Sequence, residues 1–157
     1  MSEALAADAI RKTLTVQCPV EEAFRVFTEE IGAWWPTDRF ALRPGEVREV
    51  VLEPQAGGGV YEVGPNGERG RWATVVAIEP PRRLVLAWEV SAKTLGTEIE
   101  VRFTAEGAAT RVDLEHRGWE KVADEAERGG YESGWDVVLG GYAERLSAGS
   151  AAARGVR

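Results

Sequence analysis

The sequence is poor in the residues that most metal and thiol chemistry needs: in 157 residues it has one cysteine, Cys18, and one histidine, His116. A single cysteine forms no internal disulfide, and one Cys with one His is no metal cluster. HExxH and a close Asp-rich loop are also missing, so metal catalysis lacks ligands and no cofactor is expected. The glycine runs Gly57-Gly58-Gly59 and Gly64-Pro65-Asn66-Gly67 lack the spacing of a phosphate loop and open no helix, which leaves them as turns. No stretch approaches the roughly 20 apolar residues of a membrane span, so no membrane insertion is expected. The start MSEALAADAIRK has no basic region followed by an apolar segment; the expected address is cytoplasmic. Positive charge is also short. With 19 Lys and Arg against 26 Asp and Glu, the net charge is -7, which removes the electrostatic term behind most non-specific affinity for phosphate backbones. No nucleic-acid partner is expected.

What is present fits one globular domain, with 44% hydrophobic and 29% charged residues. Its expected span is 10–146, between a flexible N-terminus (1–9) and a flexible tail (147–157). Ile10 to Gln17 alternates with the period of a half-buried strand. Pro19, the acids Glu21 and Glu22, and Val20, Ala23, Phe24 and Phe27 at helical spacing predict a short helix to about Thr28. A second brief turn, Glu29 to Ala33, ends at Trp34-Trp35-Pro36, because proline disfavours helical geometry in the residue before it. Six strands follow, at Gly45–Leu52, Gly59–Val63, Arg69–Ile78, Arg83–Val90, Thr97–Thr104 and Thr110–Arg117, separated mostly by Gly- or Pro-bearing turns. Trp119 to Arg128 reads as a short charged helical piece, a solvated face or a mobile lid, that Gly129-Gly130 breaks. Tyr131 to Leu146 then carries Trp135, Val138, Leu139, Tyr142 and Leu146 on one stripe of an amphipathic helix. One arrangement satisfies this order: an α+β domain in which a curved antiparallel sheet of about seven strands grips the long C-terminal helix, with two short helices after the first strand.

The motifs CPVEEAFRVFTE, Trp34-Trp35-Pro36, LEPQAGGGVYEVGPNG, IEPPRRLVLAW, LEHRGWE and GWDVVLGGY occur in that order from Cys18 to Tyr142. The combination resembles the START-like (SRPBCC) superfamily and, within it, the bacterial homologues of the heat-shock-protein ATPase activator. The resemblance implies a helix-grip fold with a cavity for lipids, sterols, polyketides or other apolar molecules. It implies no particular reaction, because the superfamily includes passive carriers, polyketide cyclases and aromatases, and co-chaperone domains.

Each of the six tryptophans buries much apolar area and reads either as core packing or, for Trp34, Trp35, Trp72, Trp88 and Trp135, as a candidate cavity wall. Trp34 and Trp35, in a loop, either gate the mouth or pack in the core. Trp88, on a strand face with Leu84 and Leu86, should meet Trp135 across the interior. The cavity is expected between the long helix and the sheet face bearing Ile99, Val101, Phe103, Val112, Leu114 and His116, with Phe40, Trp72 and Leu139 completing the candidate ligand contacts. His116 points inward, either as a buried histidine satisfied by a hydrogen bond or as a polar contact for ligand. Glu62 either shares that interior or is exposed or paired with an arginine such as Arg69. Cys18, at a strand–helix junction, reads as buried filler. No catalytic residue is assigned. The expected function is binding, transport or sensing of a hydrophobic small molecule; the alternatives are a cyclase or aromatase using His116, and a co-chaperone-like activator with a chaperone partner. A monomer or weak dimer is expected.

Overall fold

The computed structural model describes residues 9–91, 94–122 and 125–155. The expected flexible N-terminus, as far as residue 8, therefore lies outside the described residues, as do parts of the 91–96 loop and of the expected 119–128 helical piece. Seven strands, β1 (Ile10–Val16), β2 (Glu49–Leu52), β3 (Gly59–Val63), β4 (Arg69–Glu79), β5 (Arg83–Trp88), β6 (Thr97–Glu106) and β7 (Ala109–Arg117), form one antiparallel sheet in the order β1-β7-β6-β5-β4-β3-β2. Helices α1 (Val20–Glu29) and α2 (Ile31–Trp34) follow β1, and the long α3 (Glu125–Gly155) closes the chain. This is the expected helix-grip, α+β arrangement.

Register carries the alternation of the sequence directly into the core. Ile99, Val101 and Phe103 of β6 pair with His116, Leu114 and Val112 of β7, while Leu84 and Leu86 of β5 pair with Val101 and Ile99. All eight are buried, because a period of two keeps one face inward along the whole strand. On the opposite face Glu100 is covered by Arg83, Arg102 and Arg117, whose guanidinium groups stand 2.6–2.7 Å from its carboxylate.

The far half of the interior is filled by rings. Phe24 and Phe27 of α1 meet Phe103 edge-on, and Phe27 also packs on Trp34 and Tyr142. The Tyr142 hydroxyl donates to the Ala23 carbonyl at 2.7 Å, which joins α3 to α1. A Cβ on Gly141 would stand 2.5 Å from the Trp34 carbonyl oxygen; only glycine lets the helices approach so closely. Trp35 leaves α2 with extended geometry (φ -71°, ψ 129°), as the proline after it requires.

The largest differences from the sequence expectation lie at three places. The strand expected from Gly45 begins only at Glu49, and Gly45 itself sits at φ 81° in a turn. Between Gly118 and α3, among the described residues, only Trp119–Lys121 form a helical turn, of 3-10 type. The long helix begins at Glu125 rather than Tyr131, passes through Gly129-Gly130 and runs to Gly155 rather than stopping at Leu146. A glycine pair weakens a helix by about 1 kcal/mol per residue relative to alanine, which lowers its stability without forbidding its geometry.

Candidate functional site

The interior opens into a cleft at one end of the sheet. A cavity of about 300 Å³ lies between α3 and the ends of β4 and β5, walled by Trp35, Phe40, Trp72, Trp88, Tyr131 and Trp135. Arg39, Ala41, Leu42, Val90, Ala126, Glu127, Gly130, Gly134 and Val138 complete its lining. Trp35 is the hub of the wall, with ring centroids 4.9 Å from Trp72, 6.3 Å from Trp88 and 5.9 Å from Trp135. The first two contacts are tilted, and the third is edge-on, a favourable arrangement for aromatic quadrupoles.

Hydrogen bonds fix the wall. The Trp35 indole donates to the Phe40 carbonyl at 2.7 Å. Glu62, buried at 3% exposure, accepts from the backbone N–H groups of Leu42 (2.7 Å) and Arg43 (3.1 Å) and from the Trp72 indole (2.8 Å). One carboxylate thus pins both the loop that forms the lip and the ring behind it. Neutral N–H donors satisfy this buried group, and the arginine partner considered from the sequence is not used: Arg69 lies over the Tyr61 ring instead. On the other side the Trp88 indole donates to the Tyr131 hydroxyl at 2.8 Å. Burial raises the Tyr131 pKa against the opposing pull of that hydrogen bond, so a neutral phenol faces the cleft.

His116 is sealed rather than poised. The Trp135 indole can only donate, so His116 Nδ1 accepts its hydrogen at 3.1 Å. The ring proton then sits on Nε2, which donates to Thr97 Oγ1 at 3.0 Å, and that hydroxyl donates to the Thr94 carbonyl at 2.8 Å. Both ring nitrogens are engaged, the residue is fully buried, and it is absent from the cleft lining. Burial pulls its pKa from the usual 6.5 to about 3. The sign for stability follows: between those values the unfolded chain takes up a proton that the folded chain refuses, so stability present above pH 6.5 is lost on acidification toward pH 3. His116→Gln is expected to flatten the slope of unfolding free energy against pH in that window, as measured by urea titrations at stepped pH. An unchanged slope contradicts a neutral, sealed histidine.

Of the residues expected at the ligand, Trp35, Phe40, Trp72, Trp88 and Trp135 share the cleft. Trp34 does not line it; its indole donates to the Val26 carbonyl at 2.9 Å and its ring is locked among Phe27, Trp35 and Tyr142. It is a core residue and no gate. Leu86, Val101, Phe103, Leu114 and Leu139 belong to the closed core, because the rings of α1 and α3 occupy the space above that part of the sheet. Glu62 acts behind the wall rather than in it. Cys18 is buried filler, its thiol pushed up to about 11 by burial and then by Glu22.

Among the lining residues that the sequence reading missed are Tyr131, Arg39, Leu42, Glu127, Gly130 and Gly134. Tyr131 lies one helical turn before Trp135 on the same stripe, and Gly130 and Gly134 have the same spacing, so periodicity held the signal for these three. Nothing in the Arg39–Leu42 segment marks it as a lip. Among the described residues no group of three or more His, Cys, Asp or Glu is placed to hold a metal ion, and no helix is long and apolar enough to cross a membrane.

A curled seven-stranded sheet around a C-terminal helix, with an aromatic cleft between them, defines a START-like, SRPBCC-type domain suited to holding a hydrophobic ligand. The family model described as "Activator of Hsp90 ATPase homolog 1-like protein" matches residues 17–146, and the chain belongs to that family. Among solved structures the chain is similar to an anthrahydroquino-γ-pyrone synthase, Txn09, with 30% identity over 84% of this chain and 86% of that one and a TM-score of 0.57. It is similar to CalC, a self-sacrificing resistance protein of Micromonospora echinospora, with 25% identity, 91% and 96% coverage and a TM-score of 0.68. The Aha1 dimer of Colwellia psychrerythraea shares the fold at 16% identity, with 88% and 95% coverage and a TM-score of 0.66. No curated protein matches the chain.

Proposed function

We propose that the protein binds a fused-ring aromatic small molecule in the tryptophan cleft. The carrying observation is the wall itself: four indoles, a phenol and a phenyl ring around about 300 Å³, a size and lining usual for small-molecule sites. Rings held by hydrogen bonds before ligand arrives spare part of the ordering cost of binding. The likeness to Txn09, which is named for making a polycyclic aromatic, supports the same ligand class.

The test uses a neutral hydroxymethyl anthraquinone and tryptophan fluorescence. Binding quenches the emission saturably in the wild type. Gly130→Leu is the diagnostic variant, since Gly130 lines the cleft and a Cβ there meets no atom within 4 Å. Leucine fills the cleft while removing a helix-weakening glycine, so quenching is lost and stability is unchanged or rises by up to about 0.8 kcal/mol. Wild type that shows no quenching, or a Gly130→Leu variant that still binds, refutes the reading.

A second reading, catalysis on the bound aromatic, is favoured by the same likeness to a synthase. The cleft lining holds the Tyr131 hydroxyl and the Glu127 carboxyl and not His116, so any acid–base step falls to those two groups. Glu127→Gln then abolishes turnover while sparing quenching by the anthraquinone.

A further inference from the structure

The charges at the cleft are few and separated. Among the described residues Arg39 is the one cation in the lining and Glu127 the one carboxylate. Arg39 is exposed on the lip, with its guanidinium carbon 5.2 Å from the centre of the Phe40 ring. Arg25, Arg83, Arg111, Arg117 and Arg145 all pair with carboxylates; among the described residues Arg39 has no such partner. Its backbone is fixed by the turn in which Arg39 and Phe40 both donate to the Pro36 carbonyl, and by the Glu62 bonds to the next two N–H groups after Ala41.

Glu127 belongs to the other end. Its charge adds to the influences raising Tyr131, whereas a Cβ on Gly134 would touch Phe40 at 3.4 Å. From Glu127 to Gly134 the helix rises about 10 Å, the span of three fused aromatic rings. In a chain of net charge -7, an anionic ligand is repelled at long range unless a local unpaired cation receives it.

We propose that the cleft takes its aromatic ligand as an aryl carboxylate, with the carboxylate on Arg39 at the Phe40 end and the opposite end of the rings against Tyr131. This inference rests on the aromatic-binding reading above. The planar fork of a guanidinium matches a carboxylate in a bidentate pair, and Glu127 keeps the anionic end away from the Tyr131 side, which fixes the ligand's orientation.

The experiment compares an anthraquinone carboxylate with its neutral hydroxymethyl counterpart, by fluorescence quenching, in wild type and in Arg39→Gln. Wild type prefers the carboxylate by about 5- to 10-fold at low salt, and the preference shrinks as salt screens the pair. Arg39→Gln loses the preference, so that its affinities for the two probes converge. Equal binding of the two probes by wild type, or a preference that survives in Arg39→Gln, overturns the inference and leaves the aromatic-binding reading standing. Failure of both probes to bind wild type overturns both.

Discussion

Trp135→Ala is expected to lower the unfolding free energy by about 3–5 kcal/mol, the range for a large buried ring removed from a core. The indole is 4% exposed and packs against Trp35, Trp88 and His116. Its loss opens a void beside the cleft and strips His116 Nδ1 of its one donor among the described residues, leaving an unpaired acceptor in the interior. Trp135→Phe separates the two effects: most of the ring stays while the N–H goes, so its cost is set mainly by the orphaned nitrogen, about 1–3 kcal/mol. Urea unfolding of both variants measures this. A loss below about 1 kcal/mol in Trp135→Ala refutes the placement of that ring.

Glu62→Ala is expected to be costly for a different reason. The carboxylate buries little apolar area, but three N–H groups lose their acceptor together, and the Trp72 indole, on a residue 1% exposed, has no route to water. The expected loss is about 2–4 kcal/mol. Because the Leu42 and Arg43 backbone is released as well, anthraquinone binding weakens by more than the stability change alone explains, in conditions where the variant is still folded by circular dichroism. Glu62→Gln is an informative intermediate: its oxygen replaces one acceptor, while its NH₂ is brought against a backbone or indole N–H that had been bound. Wild-type affinity in Glu62→Ala contradicts the view that this residue sets the lip.

The sheet and helix were legible in the sequence because each followed a single period. Ile99, Val101 and Phe103 alternate with charged partners, and Trp135, Val138, Leu139, Tyr142 and Leu146 keep one helical stripe, so side-chain direction was fixed before any tertiary contact was considered. Helix boundaries were less legible. Gly129-Gly130 reads as a break on propensity alone, and tertiary context overrides that preference in the long helix. The site was half legible. Aromatic residues were identified as walls, but periodicity assigns a residue to a face and not to a place along it. Trp88 and Leu86 share an inward face, yet one meets the cleft and the other the closed core, and the difference is made by Phe24, Phe27 and Tyr142 arriving from other elements. Trp34 and Trp35 are adjacent in the chain and point to different neighbourhoods because a proline ends the helix between them. The role of Glu62 depends on loop N–H groups twenty residues earlier, a distance at which no local pattern gives warning.

The six indole N–H signals give the most direct test of an aromatic site in this cleft, because each reports one tryptophan. With the resonances assigned by single Trp→Phe variants, titration of neutral hydroxymethyl anthraquinone into ¹⁵N-labelled protein is expected to shift the signals of Trp35, Trp72, Trp88 and Trp135, which line the cleft. The signals of Trp34 and Trp119, whose indoles donate to the Val26 and His116 carbonyls away from it, are expected to stay within line width. Shifts confined to Trp34 and Trp119, or none on the four wall tryptophans at saturating ligand, would contradict binding at this site.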